Sequence, residues 1–115
     1  MIFKPELIEK ILAGEKTVTR RPVKYDPAGE PLPCRYEPGR DYALQPGRGK
    51  KAVGRIRVLD VRREPLAEVD TADARREGFY GGPEFAAYWS KLYGSYDPTE
   101  LVDRIEFELL PGGQS

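Results

Sequence analysis

Histidine is absent from this sequence, and cysteine occurs once, at Cys34. The first absence excludes every mechanism that runs through an imidazole, including the Ser-His and Cys-His pairs. The second excludes an intramolecular disulfide, and together they leave a structural zinc site almost without ligands. A hard cation could still use carboxylates, but their spacing shows no such pattern. Neither a metal nor a cofactor is therefore expected. Cys34 stands in the proline-rich PLPCRYEPG and reads as incidental. Long apolar runs are also missing, and nothing approaches the ~18 residues that span a bilayer. The opening MIFKPELIEK lacks the apolar stretch of a secretory signal. The expectation is a soluble cytoplasmic protein with no membrane partner.

What is present describes a globular chain. With 115 residues, 39% hydrophobic and 10% aromatic, it fits a single domain over 1–115 with one core. A formal net charge of zero conceals a division. Residues 1–63 hold 15 Lys and Arg against 8 Asp and Glu, and residues 64–115 hold 4 against 11. Either the fold separates a cationic face from an anionic one, or the halves interleave and neutralise each other.

Along the chain, Pro5–Ala13 reads as a short helix. Proline suits its first turn, Leu7, Ile8, Ile11 and Leu12 make an apolar stripe, and Gly14 stops it. Residues 17–20 are β-prone. Five prolines and two glycines in 22–40 predict an irregular segment, of the kind that often forms a functional loop. Asp41–Leu44 is a short strand and QPGRGKK (45–51) a turn. It is not a phosphate-binding P-loop, since the G-x-x-x-x-G-K-[ST] pattern is missing. AVGRIRVLDVRR (52–63) is the clearest strand; its apolar residues fall on both parities, which predicts burial on both faces, as in a barrel wall. Residues 70–78 and 83–93 read as helices. Phe85, Tyr88, Trp89, Leu92 and Tyr93 form a helical stripe on the second, with Trp89 in the core. In VDRIEFEL (102–109), Ile105, Phe107 and Leu109 should face inward, and Arg104, Glu106 and Glu108 should face water. The order indicates an α+β fold, with a small, partly open barrel and short helices at its rim.

GEKTVTRR (14–21) crowds cations and hydroxyls just after the first helix. Its G-x-K-T-x-T-x-R pattern, through Gly14, Lys16, Thr17, Thr19 and Arg21, resembles the ASCH domain of the PUA-like superfamily. AVGRIRV (52–58) resembles that family's central strand, and ADARREGF (72–79) its A-x-x-E-G-F element. The resemblance covers essentially the whole chain. It implies a PUA-like β-barrel with a cleft bordered by the first helix and the following strand, and a link to RNA. Some small bacterial members remove the acetyl group from N4-acetylcytidine, and others have been described as ribonucleases. For the amidohydrolase type the resemblance implies a catalytic set of Lys16, Thr19 and Glu77. Thr17, Arg20, Arg21, Tyr42 and Arg55 are candidate substrate-binding residues. The chain departs from the shortest such members in its 22–38 loop and in GFYGGPEFAAYWSKLYG (78–94).

The residues themselves allow this chemistry and also something plainer. A threonine hydroxyl needs an activating base, and Lys16 serves only if burial beside cations lowers its pKa from about 10.4. Glu77 could then pass a proton to a leaving amine. Lys16 and Thr19 are three apart, so they share a site only if Lys16 lies in the turn before the strand begins. Taken singly, Lys16 is a solvated loop lysine, Thr17 and Thr19 are strand formers, and Glu77 is an exposed helix-end acid set against the helix dipole. A binding module without chemistry would need only a cationic surface with interleaved tyrosines, such as Tyr25, Tyr36 and Tyr42, to hold RNA.

Overall fold

A computed structural model of the chain describes residues 1–111; of the single domain expected over 1–115, the last four residues lie outside the described part. Helix α1 (Pro5–Leu12) begins on proline and buries Leu7, Ile8 and Ile11. Gly14 takes φ +79° just beyond it, a left-handed conformation that glycine adopts without a Cβ penalty. Strand β1 (Val18–Pro22), β2 (Asp41–Leu44) and β3 (Gly54–Pro65) follow. Helices α2 (Thr71–Arg76) and α3 (Gly82–Tyr93) then precede β4 (Leu101–Leu109). Asp70 caps α2 by accepting from the Asp73 backbone N–H at 2.7 Å.

The four strands form one antiparallel sheet in the order β1-β4-β3-β2. The sheet is not closed, so the barrel expected from the sequence is not present as a continuous ladder. Its edges, β1 and β2, are linked by the N-terminal segment instead. Ile2 forms a single parallel bridge to Gln45 beyond β2, and its carbonyl accepts from an Arg21 terminal nitrogen (Nη2) on β1 at 2.8 Å. One side-chain bond therefore stands where a closed barrel would have a ladder.

The expectation of two-faced burial in β3 is also corrected. Ile56 and Val58 are fully buried, whereas Val53 and Leu59 are close to half exposed. The register against β4 shifts between Val58 and Asp60. One extra residue there reverses the alternation, so Val61 pairs with Ile105 and returns to the face of Ile56 and Val58. Mixed parity in the sequence was the mark of a bulge. Strand β4 departs from expectation in the opposite way. Ile105 and Phe107 are buried, but so are Val102 and Arg104, because α2 and α3 cover the other face of its first half. Leu109, expected inside, is 37% exposed.

Two apolar clusters result. One packs α1 and the N-terminal Phe3 on the sheet through Ile56, Val58, Ile105 and Phe107. The other joins Leu66, Ala74, Phe85, Trp89 and Val102. Phe79 packs against both, just after Glu77 and Gly78. Each large buried side chain contributes about 1.5–3 kcal/mol. The seam between the clusters is where the polar residues of the GEKTVTRR stretch turn inward.

Candidate active site

Lys16 precedes β1, as a shared site with Thr19 requires. The chain leaves α1 through a tight turn in which the Glu15 and Lys16 amides donate to the Lys10 carbonyl at 2.8 and 3.2 Å. This turn carries the Lys16 side chain inward until only 2% of the residue is exposed. Its Nζ donates to the Val18 carbonyl at 2.9 Å, the Glu77 carbonyl at 2.8 Å and Glu77 Oε1 at 3.0 Å. Burial is the main cause that lowers the Lys16 pKa below its ordinary value, and the Glu77 carboxylate opposes that shift.

Glu77 is the C-terminal cap of α2 and is buried, not exposed. Gly78 follows at φ +102°, which turns the chain sharply and directs the Glu77 carbonyl and carboxylate to the same ammonium. The local partner that its position against the helix dipole calls for is therefore present twice over: Arg20 donates to Oε2 at 3.1 Å while Lys16 holds Oε1.

Strand alternation then separates the arginines. Arg20 pairs with Arg104 on the face under α2 and donates to Glu64 at 2.9 Å and to Asp73. Thr19 and Arg21 occupy the opposite face, in register with Ile105 and Asp103. The Thr19 hydroxyl, in a residue only 5% exposed, accepts from Arg21 Nε at 3.4 Å and among the described residues donates to no protein group. Arg21 stacks over Phe3 with its guanidinium carbon 4.9 Å from the ring centroid, and it has no carboxylate partner among the described residues.

Lys16, Thr19, Arg20, Arg21 and Glu77 line one hollow of about 260 Å³. Its other walls are Phe3 and Leu7 on one side and Tyr88, Trp89, Leu92 and Tyr93 of α3 on the other. Trp89 is in the core, as its stripe predicts, and lines the hollow as well. Two buried N–H groups here, Arg20 Nε and Trp89 Nε1, have no hydrogen-bond partner among the described residues. The remaining candidates lie elsewhere. Thr17 sits before β1, its amide bonded to the Arg76 carbonyl at 2.8 Å, and is not part of this lining. Tyr42 packs edge-on to Tyr36 and accepts from the Glu37 amide at 2.9 Å. Arg55 is exposed on β3 opposite Ala43. The wall from α3 and the N-terminal Phe3 were not assigned to the site from sequence. The apolar stripe of α3 was the available signal, and it was absorbed into the core.

A second hollow of about 480 Å³ adjoins the first, with Arg21 and Tyr93 lining both. Its outer wall is the 22–40 segment, which folds as an ordered loop. The Leu32 amide donates to the Lys24 carbonyl at 2.7 Å, and Tyr25 bridges Pro31. Arg63 ties this loop to the sheet, donating to the Leu32 carbonyl at 2.7 Å and to both Asp103 oxygens at 2.9 and 3.2 Å.

Comparison with known proteins adds family and fold. The family model for the ASCH domain matches residues 1–111. The crystal structure of protein EF3133 from Enterococcus faecalis, of family model DUF984, superposes with a TM-score of 0.67 at 23% identity, covering 91% of this chain and 67% of that one. An ASCH domain from Lactobacillus crispatus gives a TM-score of 0.64 at 19% identity, covering 90% of this chain and 70% of that one. No curated protein matches the sequence.

Proposed function

The chain belongs to the ASCH domain family, and from that membership and the geometry of the cleft we propose that it binds a base of RNA or of a modified nucleoside and hydrolyses an N4-acylated cytidine. The observation that carries the reading is the buried Lys16–Glu77 pair, 3.0 Å apart, on the wall that also holds the Thr19 hydroxyl. In a desolvated pocket the neutral amine is favoured over the ammonium, and the proton it gives up has a carboxylate oxygen one hydrogen bond away.

The reaction then runs as acyl transfer. Thr19 Oγ1 attacks the acyl carbon while neutral Lys16 takes the hydroxyl proton. Arg21, which has no carboxylate partner among the described residues, meets the oxyanion charge. The proton passes from Lys16 to Glu77 Oε1 and on to the departing N4 amine as the C–N bond breaks. Water, deprotonated by Lys16, then cleaves the Thr19 ester and restores both groups. No metal or cofactor enters these steps.

A non-catalytic binding module is the second reading, and one observation favours it. Lys16 Nζ has three acceptors, the full complement of an ammonium, so it must release one before it can act as a base. Incubation with N4-acetylcytidine, followed by chromatography, separates the two. The enzyme releases cytidine and acetate, and Lys16→Ala and Thr19→Ala each abolish release while keeping a cooperative thermal transition. Wild-type protein at high concentration that releases no cytidine leaves only the binding module.

A further inference from the structure

We propose that the second hollow receives the neighbouring nucleotide of a strand, so that the preferred substrate is a single-stranded oligonucleotide and not a free nucleoside. The inference deepens the reading above and rests on it for the base that occupies the first hollow.

Size is the first argument. The first hollow, at about 260 Å³, falls below the ~300–1,000 Å³ of sites that enclose a drug-sized ligand. A base that carries an acyl group takes up much of that volume. With the acyl group held at Lys16 and Thr19, the sugar and whatever is joined to it lie toward the mouth. The shared boundary of Arg21 and Tyr93 leads into a hollow of about 480 Å³, larger than a phosphate alone requires.

Chemistry is the second argument. Arg21, Lys24 and Arg35 line the second hollow, and none has a carboxylate partner among the described residues. The one carboxylate there, Asp103, has both oxygens occupied by Arg63. A net positive wall therefore faces the hollow, as a phosphodiester requires. The rest of the lining is aromatic and apolar. Tyr36 stands on the loop side with Arg35 stacked 5.3 Å from its ring centroid, and Tyr93 stands 44% exposed on the α3 side. Cations beside the exposed Tyr93 ring and the Arg35–Tyr36 pair fit a linked base and phosphate, since every base has a face to stack. Backbone hydrogen bonds and Arg63 hold the loop that carries Lys24 and Arg35 against the sheet.

The test compares an N4-acetylated cytidine as free nucleoside, as 5′- and 3′-monophosphate, and within a dinucleotide. The dinucleotide should exceed the nucleoside in kcat/KM by about tenfold or more, and both monophosphates should gain less. The double variant Lys24→Ala/Arg35→Ala, and separately Tyr36→Ala, should shrink the ratio of dinucleotide to nucleoside. Binding of an unmodified cytidine dinucleotide, followed by NMR, provides a readout independent of turnover. Shifts should spread over Lys24, Arg35 and Tyr36 as well as the first hollow, and affinity should fall with salt at a log–log slope of about −0.7 for one phosphate contact. A dinucleotide that binds in both hollows without being deacylated would sink the hydrolase reading and keep the strand site. Deacylation of the nucleoside with no gain from the dinucleotide would do the reverse. A monophosphate that gains as much as the dinucleotide would overturn the neighbouring-nucleotide site in favour of a bare phosphate site.

Discussion

Two neighbouring side chains and a third far along the sequence converge because each is buried by a different local device. A turn after α1 carries Lys16 inward, strand alternation places Thr19, and a left-handed glycine directs Glu77. The motif made these three legible. Nothing in composition or periodicity could have buried Glu77, because the charges that hold it, Lys16 and Arg20, lie 61 and 57 residues away. Arg20 was legible as a cation near the site but not as the centre of an ion network. If neutral Lys16 is the base, its burial fixes the pH dependence. The amine is inactive while protonated, so kcat/KM should rise with pH, about tenfold per unit, until the lowered pKa is reached. The plateau should begin short of the ordinary lysine value of 10.5. Lys16→Met should lose the slope together with about 10²–10⁴-fold of the rate. A wild-type rate that is flat, or still climbing past 10.5, would remove Lys16 from the base role.

Elements were easier to read than their faces. Among the described residues, the three α-helices and four strands lie within a few residues of where proline, glycine and apolar spacing place them. The misreadings concern what covers each face. The bulge after Val58 imitates a two-sided strand, and α2 hides Arg104, which alternation alone assigns to solvent. Both depend on a distant element, which local periodicity cannot register. The junction after α2 offers an element-scale test. Gly78→Ala places a Cβ at φ +102° and 3.0 Å from Lys10 Cδ, directly after the residue whose carbonyl holds Lys16. The left-handed backbone should cost about 1–2 kcal/mol in denaturant unfolding. Because relief of that strain moves Glu77, kcat/KM should fall as well. Gly49→Ala, at φ +72° in a turn that lines neither hollow, should carry a similar stability cost and keep activity. Equal activity in the two variants would show that the Gly78 turn does not position Glu77.

At the scale of the whole molecule, the cationic and anionic halves of the sequence interleave in the sheet. β4 lies between β1 and β3, so the acidic second half is threaded through the basic first half, and their charges meet in the interior. Asp73 is the junction. Arg104 holds both its oxygens at 2.8 and 2.9 Å, and Arg20 and Arg76 donate to it as well, joining α2 to β1 and β4. These bonds, Arg104's first, hold the Asp73 carboxyl well below the usual carboxylate range. A carboxylate whose pKa is lower folded than unfolded contributes stability that is complete above the unfolded value. That stability is lost as pH falls toward the folded one. Lys16, whose pKa burial lowers, is the same in wild type and in an Asp73 variant and cancels in the comparison. Asp41 and Asp97, also lowered, remain in any Asp73 variant and cancel in the comparison. Asp73→Asn should therefore cost about 3–5 kcal/mol at neutral pH by leaving buried arginines short of a partner. Below pH ~4 the two stability curves should converge, by up to about 1.4 kcal/mol per pH unit for a single group. Urea unfolding at a series of pH values reads both quantities. Curves that stay parallel down to pH 2 would mean that Asp73 is not the carboxylate through which acid loosens the fold, and that the ion network only fills space between α2 and the sheet.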